Sequence, residues 1–366
     1  MKTLRRYLFR EVALSVGFAT LAFVALFFFF DMVDELRVAG SAARGYPLSR
    51  ALLYVLLRQP QHVYELLPIT VLIGTIFVMA RLAQNSEFTI MRTSGLGPWR
   101  ALGAAALMGV VFAVGTFAIG DYVAPASERA AEIVRARQFG PLSTGLTGAW
   151  LKEQQGERSY AINVRALDAD GLMRGIRIFG FDAQGHLALT ARAEQGHFGE
   201  GGWDLATVQR NTFIQTATDQ ARVERLSEDR WHWPTQITSS MVAASLLNPQ
   251  KMATLDLFLY VRHLQANGQS AQRYEIELWH KVFYPLSCLV MVVLSLPFAY
   301  LHFRSGGMAA YVFGGVMAGI SFFLLNNVFG FAGNLQNWSP WLSAAAPGMI
   351  YSVLSLAMFG WLVLRQ

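Results

Sequence analysis

Four arginines, Arg37, Arg129, Arg135 and Arg137, are the side chains of this chain best suited to binding chemistry, together with one short run from Gln84 to Gly95. A guanidinium pairs bidentately with phosphate or carboxylate oxygens and gives up little hydration in doing so. Covalent chemistry finds no comparable set. The sequence holds no G-x-x-x-x-G-K-S/T phosphate loop, no H-E-x-x-H, no G-x-S-x-G and no C-x-x-C, the patterns that mark nucleotide, zinc, acyl-transfer and redox sites. The seven histidines are scattered without metal-ligand spacing, and the sole cysteine, Cys288, lies inside an apolar stretch. The reading is therefore of no catalytic residue, no metal and no cofactor of the chain's own, so any nucleotide energy must come from another chain.

Six long apolar stretches must position these residues: Glu11–Phe30, Val63–Ala83, Ala101–Ile119, Val282–Leu301, Met308–Phe331 and Trp341–Leu364. Each approaches or exceeds the roughly 20 residues that cross a bilayer. Hydrophobic residues make up 54% of the chain and charged ones 15%, a membrane composition. The net charge of +6 then reflects Lys and Arg near inner span ends rather than nucleic-acid affinity. Lys2, Arg5 and Arg6 precede an apolar run that no small-x-small site closes, so a retained first helix is expected rather than a cleaved leader. Arg92, Arg100, Arg304 and Arg365 fall at later inner ends, whereas residues 332–340 carry no charge. Arg37, Arg44, Arg50 and Arg58 in the first outer loop weigh against this, but the short loops together put both termini inside. Trp338 and Trp341 would mark the outer interface, Trp99 and Trp361 the inner one.

Between the third and fourth stretches lies a polar insert, so the chain divides into 1–121, 122–275 and 276–366. From Ala149 the pattern switches to period two. Ser159–Leu167 and Arg174–Phe181 alternate apolar with polar, with Asp168–Gly171, Asp182–Gly185 and Gly199–Gly202 as turns. Further strands are expected at Leu187–Ala193, Trp203–Gln209 and Ala221–Leu226. An antiparallel sandwich or open barrel follows, with Ile162, Val164, Ile176, Ile178 and Phe181 on its inward face. If the sheet curls without closing, that face is an apolar trough with free edges; if it is a plain sandwich, the face is a filled core. An amphipathic helix, Thr254–Leu264, stopped at Gly268, would lie near the outer membrane surface and lead into the fourth span.

The run Gln84–Gly95 links the second and third spans on the inner side. Ser86 can N-cap, Glu87 suits the positive end of a first turn and Gly95 can terminate the helix. The result is a short helix presenting Glu87, Phe88, Ile90, Met91 and Arg92, either an element that receives force from a separate ATPase or a plain re-entry turn. Within the spans, Asn326 and Asn327 are either glue between helices or the lining of a cavity. The G-x-x-x-G at Gly315–Gly319 fits either a gate between two subunits or internal packing. Pro285 and Pro297 would kink the fourth span.

Four segments, in this order, resemble the lipopolysaccharide export permeases of the LptF/LptG family. They are Phe30-Asp-Met-Val-Asp-Glu-Leu-Arg-Val-Ala-Gly40, Leu82–Gly95, Gly120-Asp-Tyr-Val-Ala-Pro125 and Arg273-Tyr-Glu-Ile-Glu-Leu-Trp-His-Lys-Val-Phe-Tyr-Pro-Leu286. The resemblance covers essentially the whole chain. It implies an α-helical membrane protein of six transmembrane helices with an inserted, periplasmic, β-jellyroll-like domain, in the inner membrane of a Gram-negative envelope. It further implies a heterodimer with a paralogous permease, LptF, over an LptB ATPase dimer that uses the ATP. Lipopolysaccharide would pass through LptC to the LptA bridge, for outer-membrane biogenesis. Glu87 would stand at the family's acidic position in the coupling helix, and Arg37 and Arg135 where the family tends to be basic. Asp31 departs from relatives that carry lysine there. Readings of other kinds are a permease for another lipid or lipoprotein, and a non-transporting scaffold that docks envelope proteins.

Overall fold

The computed structural model describes residues 2–41, 46–95, 97–139, 148–168, 171–215, 221–246, 249–300 and 308–363. In chain order the helices are α1 Lys2–Ser41, α2 Leu48–Gln84, α3 Glu87–Thr93, α4 Pro98–Ala118, a π turn Ile119–Val123 and α5 Ala124–Phe139. Six strands follow: β1 Ala149–Gln155, β2 Arg158–Leu167, β3 Met173–Phe181, β4 Leu187–Gly199, β5 Gly202–Gln215 and β6 Ala221–Pro234. Then come α6 Ser239–Leu246, α7 Thr254–Ala266, α8 Gln272–Phe283, α9 Leu286–Ser295 with a 3-10 turn Leu296–Tyr300, α10 Met308–Leu335 and α11 Pro340–Val363. They fall into two units, one of Met1–Glu128 with Glu275–Gln366, the other Arg129–Tyr274.

Among the described residues five helices are long and apolar enough to cross a membrane, and the bent pair α8–α9 makes a sixth if it is one span. The pair bends by 48° where Pro285 withholds an N–H, and α9 tightens into its 3-10 turn at Pro297, so both prolines deform the span as expected. At 40 residues, α1 is about 60 Å long, twice the hydrocarbon thickness, and must project beyond it.

Helix α2 is the centre of this bundle, mostly buried and packed on α1, α9 and α10. Glycines let its neighbours come close. A Cβ at Gly74 would sit 2.7 Å from the Val16 backbone nitrogen of α1. Cβ atoms at Gly315 and Gly319 would sit 2.6 Å from Ile76 and 2.8 Å from Ile69. The G-x-x-x-G face therefore packs on α2 of its own chain rather than on a second subunit. Leu66, Ile69 and Ile73 of α2 gather Phe23 and Phe27 from α1 and Val312 and Val316 from α10. Outside these seams α1 and α10 leave Phe18, Phe29, Phe30, Phe313, Val328 and Phe331 exposed.

The second unit is one six-stranded antiparallel sheet in the order β1-β2-β3-β4-β5-β6. Every strand expected from period two is present, but the last three run on to Gly199, Gln215 and Pro234. Gln195 and His197 in β4, Arg210 and Asn211 in β5 and Arg230 in β6 interrupt the apolar alternation there, which is why the sequence pattern ends early. The sheet curls. Gln155 Nε2 of β1 donates to Pro234 O at 2.8 Å, and buried Glu153 accepts from Thr235 Oγ1 and the Gln236 N–H, both at 2.6 Å. Flat, these two edges would stand about 24 Å apart. Among the described residues there is no second sheet and no ladder between β1 and β6.

The concave core holds Trp203, Trp233 and Tyr160, with Trp203 Nε1 donating to Ile237 O at 2.7 Å. Helix α7 stops at Asn267, followed by Gly268 at φ +63°, as expected. It buries Leu257, Tyr260, Val261 and Leu264 and exposes Leu255, Phe258 and Leu259. Burial holds the His263 imidazole below its ordinary pKa, against the opposing pull of the Glu153 carboxylate and a backbone hydrogen bond to Lys152. A depressed histidine contributes stability above its unfolded pKa of about 6.5 and loses it as pH falls below that. Thermal unfolding of the chain in detergent should therefore drop between pH 7.5 and 5.5, with a shallower slope in His263→Gln. An unchanged slope in that variant would show that another group titrates.

Candidate functional site

Short helix α3 is rooted in the bundle. Phe88 and Met91 are buried in the main apolar cluster, and Phe88 meets the Tyr300 ring edge-on at 5.0 Å. The Arg92 guanidinium lies over the same ring at 4.9 Å. Only Ile90 among the apolar residues is presented outward, at 63% exposure. This corrects the expectation that Phe88, Ile90 and Met91 share an outward face: the 3.6-residue period places 88 and 91 together and 90 across from them. Ser86 stands at the cap position, but at φ +57° its hydroxyl caps nothing. Gly95 ends the helix at φ +98°, its N–H bonded to Arg92 O. Half-buried Glu87 accepts from the Tyr7 hydroxyl of α1 at 3.1 Å and from Asn85 at 3.4 Å. Nearby, the Glu11–Arg81 ion pair ties α1 to α2. Behind α3 the cavity lined by Leu8, Met79, Phe88 and Met91 measures only about 20 Å³, room for one water and no ligand.

Asp31 is not an isolated acid. Its Oδ2 lies 2.8 Å from His62 Nε2, its Oδ1 3.4 Å from Arg58 Nη1, and Gln59 adds a bond at 3.5 Å. The Phe27 ring packs on His62 at 4.8 Å. The sequence pattern put Arg58 in an outer loop; the structure puts it inside α2, four residues from His62. That spacing, with an acid at the end of the preceding apolar run, was the available signal.

Arg37 is exposed and 3.8 Å from Asp34. Arg129 pairs with Asp256 of α7 at 3.2 Å, and Glu132 with Lys251 at 3.4 Å. Both α5 side chains thus pair with the segment around α7. Arg135 is half-buried on α5; the Arg137 side chain lies outside the described residues.

In the sheet, Ile162 opposes Ile178 and Val164 opposes Ile176, and all four are no more than 1% exposed. Phe181 opposes Ser159 instead. It is an odd number of residues from Ile178, so the pleat turns it to the other face, and its placement inward is corrected. Phe179 shares that outer face and stacks on Trp150 at 6.0 Å. In α10, Asn327 is exposed and Asn326 half-buried.

The model of the family described as lipopolysaccharide export system permease LptF/LptG matches residues 6–361. The chain is 27% identical over 370 residues to lipopolysaccharide export system permease protein LptG of Escherichia coli strain K12, covering 99% of this chain and 98% of that protein. It is 28% identical over 374 residues to the protein of the same name from Haemophilus influenzae, covering 100% and 99%. Helices long enough to span, the short rooted helix between the second and third, and the inserted sheet all fall within the matched length. The chain belongs to the LptF/LptG family of lipopolysaccharide export permeases.

Proposed function

We propose that this chain, as half of an ATP-driven transporter, extracts lipopolysaccharide from the outer leaflet of the inner membrane and passes it to a periplasmic bridge. Its companions would be the paralogous permease LptF, an LptB ATPase dimer, and LptC leading to LptA. Both termini would be cytoplasmic. The exposed apolar faces of α1 and α10 would form this chain's share of the lipid cavity, with Asn326 and Asn327 beside it. Arg37, Arg129, Arg135 and Arg137 would take glycolipid phosphates. The curled sheet would belong to a β-jellyroll-like domain whose free β6 edge accepts a strand of the bridge.

The observation that carries this reading is the division of α3. Phe88 and Met91 fix it to the bundle while Ile90 faces out beside the half-buried Glu87, which is what a rigid lever between an ATPase and a set of spans requires. Glu87→Lys is expected to lower ATPase association at least about tenfold, since leaving a charged interface partner unpaired costs about 2–5 kcal/mol. The permease itself should stay inserted and folded. Co-purification with the ATPase and single-turnover lipid release measure this. Full association and transport in Glu87→Lys would remove α3 from the coupling path.

A further inference from the structure

We propose that Lys281 is a positioning residue: its ammonium caps a backbone carbonyl that Pro125 leaves without a donor, and so holds the π turn between α4 and α5 in register. In the π turn the Ala124 N–H donates to Ile119 O, five residues back. By the same register Gly120 O should accept from residue 125, but proline has no N–H. The α register offers nothing either, because Ala124 is already used. Gly120 is buried, so bulk water does not supply the missing donor. Lys281 of α8 does: its Nζ donates to Gly120 O at 3.2 Å, from a side chain only 4% exposed. The site is built around this bond. A Cβ at 120 would overlap the Tyr64 ring, the same ring over which Lys281 Nζ lies at 5.5 Å. Glu277 and Asp121 add carboxylate charge in range of the ammonium.

A π turn carries one extra residue, which rotates the helix beyond it by about 100° relative to an unbroken α-helix. The cap therefore fixes the azimuth at which α5 leaves the π turn. The role of α5 in export rests on the reading above, whereas the cap itself does not depend on it.

The test is a cycle of Lys281→Met, Pro125→Ala and the pair of changes, each made in the full chain purified with its partner subunits in lipid nanodiscs. Alanine at 125 restores the N–H that Gly120 O lacks, so it should make the lysine dispensable. Hydrogen exchange of the amides at 119–128 is expected to rise about tenfold in Lys281→Met. It should return to within about twofold of the starting chain in the double variant and stay low in Lys281→Arg, which keeps a donor. Photo-crosslinking of lipopolysaccharide from position 135, per ATP hydrolysed, should fall and recover in the same order, with ATP hydrolysis itself little changed. A general packing defect at 281 would not be rescued from 125. Unchanged exchange in Lys281→Met, or equal exchange in the single and double variants, overturns the cap. So does failure of both to accumulate; accumulation of the double alone supports it. A normal exchange cycle in a complex that moves no lipid would leave the cap standing and sink the export reading.

Discussion

Ile178→Asp is expected to unfold the inserted sheet, whereas Phe179→Asp next to it should leave it folded. Ile178 is 1% exposed and faces Ile162 across the β2–β3 ladder and Ala191 across β3–β4. Aspartate there loses the apolar burial and strands a carboxyl group without a donor, at a cost of about 4 kcal/mol or more. A whole domain is stable by only about 5–15 kcal/mol. Phe179 is on the opposite face, half-buried, with the Trp150 stack as its main contact; its loss should cost about 1 kcal/mol. Circular dichroism melting and hydrogen exchange of strands β2–β4 in the detergent-purified chain separate the two. If Ile178→Asp stayed folded and blocked lipid transfer alone, this stretch would be an open trough after all.

Asp31→Lys should loosen α1 from α2. It would set an ammonium beside Arg58 and His62, in a cluster where the Asp31 side chain is 14% exposed and His62 13%. The expected loss is about 2 kcal/mol, below the figure for a fully buried pair because Arg58 remains 32% exposed. Exchanging the charges, Asp31→Lys with Arg58→Glu, should recover most of it. Thermal stability of the four variants in detergent reads this out, and a failure of the exchange to rescue would show that Asp31 and Arg58 act independently.

Most of the fold was legible because both periodicities are unmasked where one face is buried. The apolar runs locate the spans, and the alternation in Ser159–Leu167 and Arg174–Phe181 locates two strands to within a residue. The helix between the second and third spans was readable from Glu87 and Gly95, but not which of its sides is anchored. That depends on Tyr300, far away in sequence. The Asp31 cluster was hidden for a similar reason: Arg58 and His62 precede the apolar core of α2, so counting hydropathy alone cuts the helix short. Phe181 was misplaced by chemistry overruling parity, since a phenylalanine at the end of a strand looks inward wherever it points.

The unbroken strand order β1 to β6 has a consequence for synthesis. Each hairpin joins neighbours in sequence, so the sheet can form as the chain emerges, with little loop-closure entropy to overcome. The bundle cannot. Helices α9 and α10 close on α2, which is made long before them, so Gly74, Ile69 and Ile76 wait beside lipid while the whole insert is translated. The membrane half is thus finished last, from both ends of the polypeptide, around an insert that is already folded. Premature pairing of α2 with the wrong helix is the misassembly this order exposes it to.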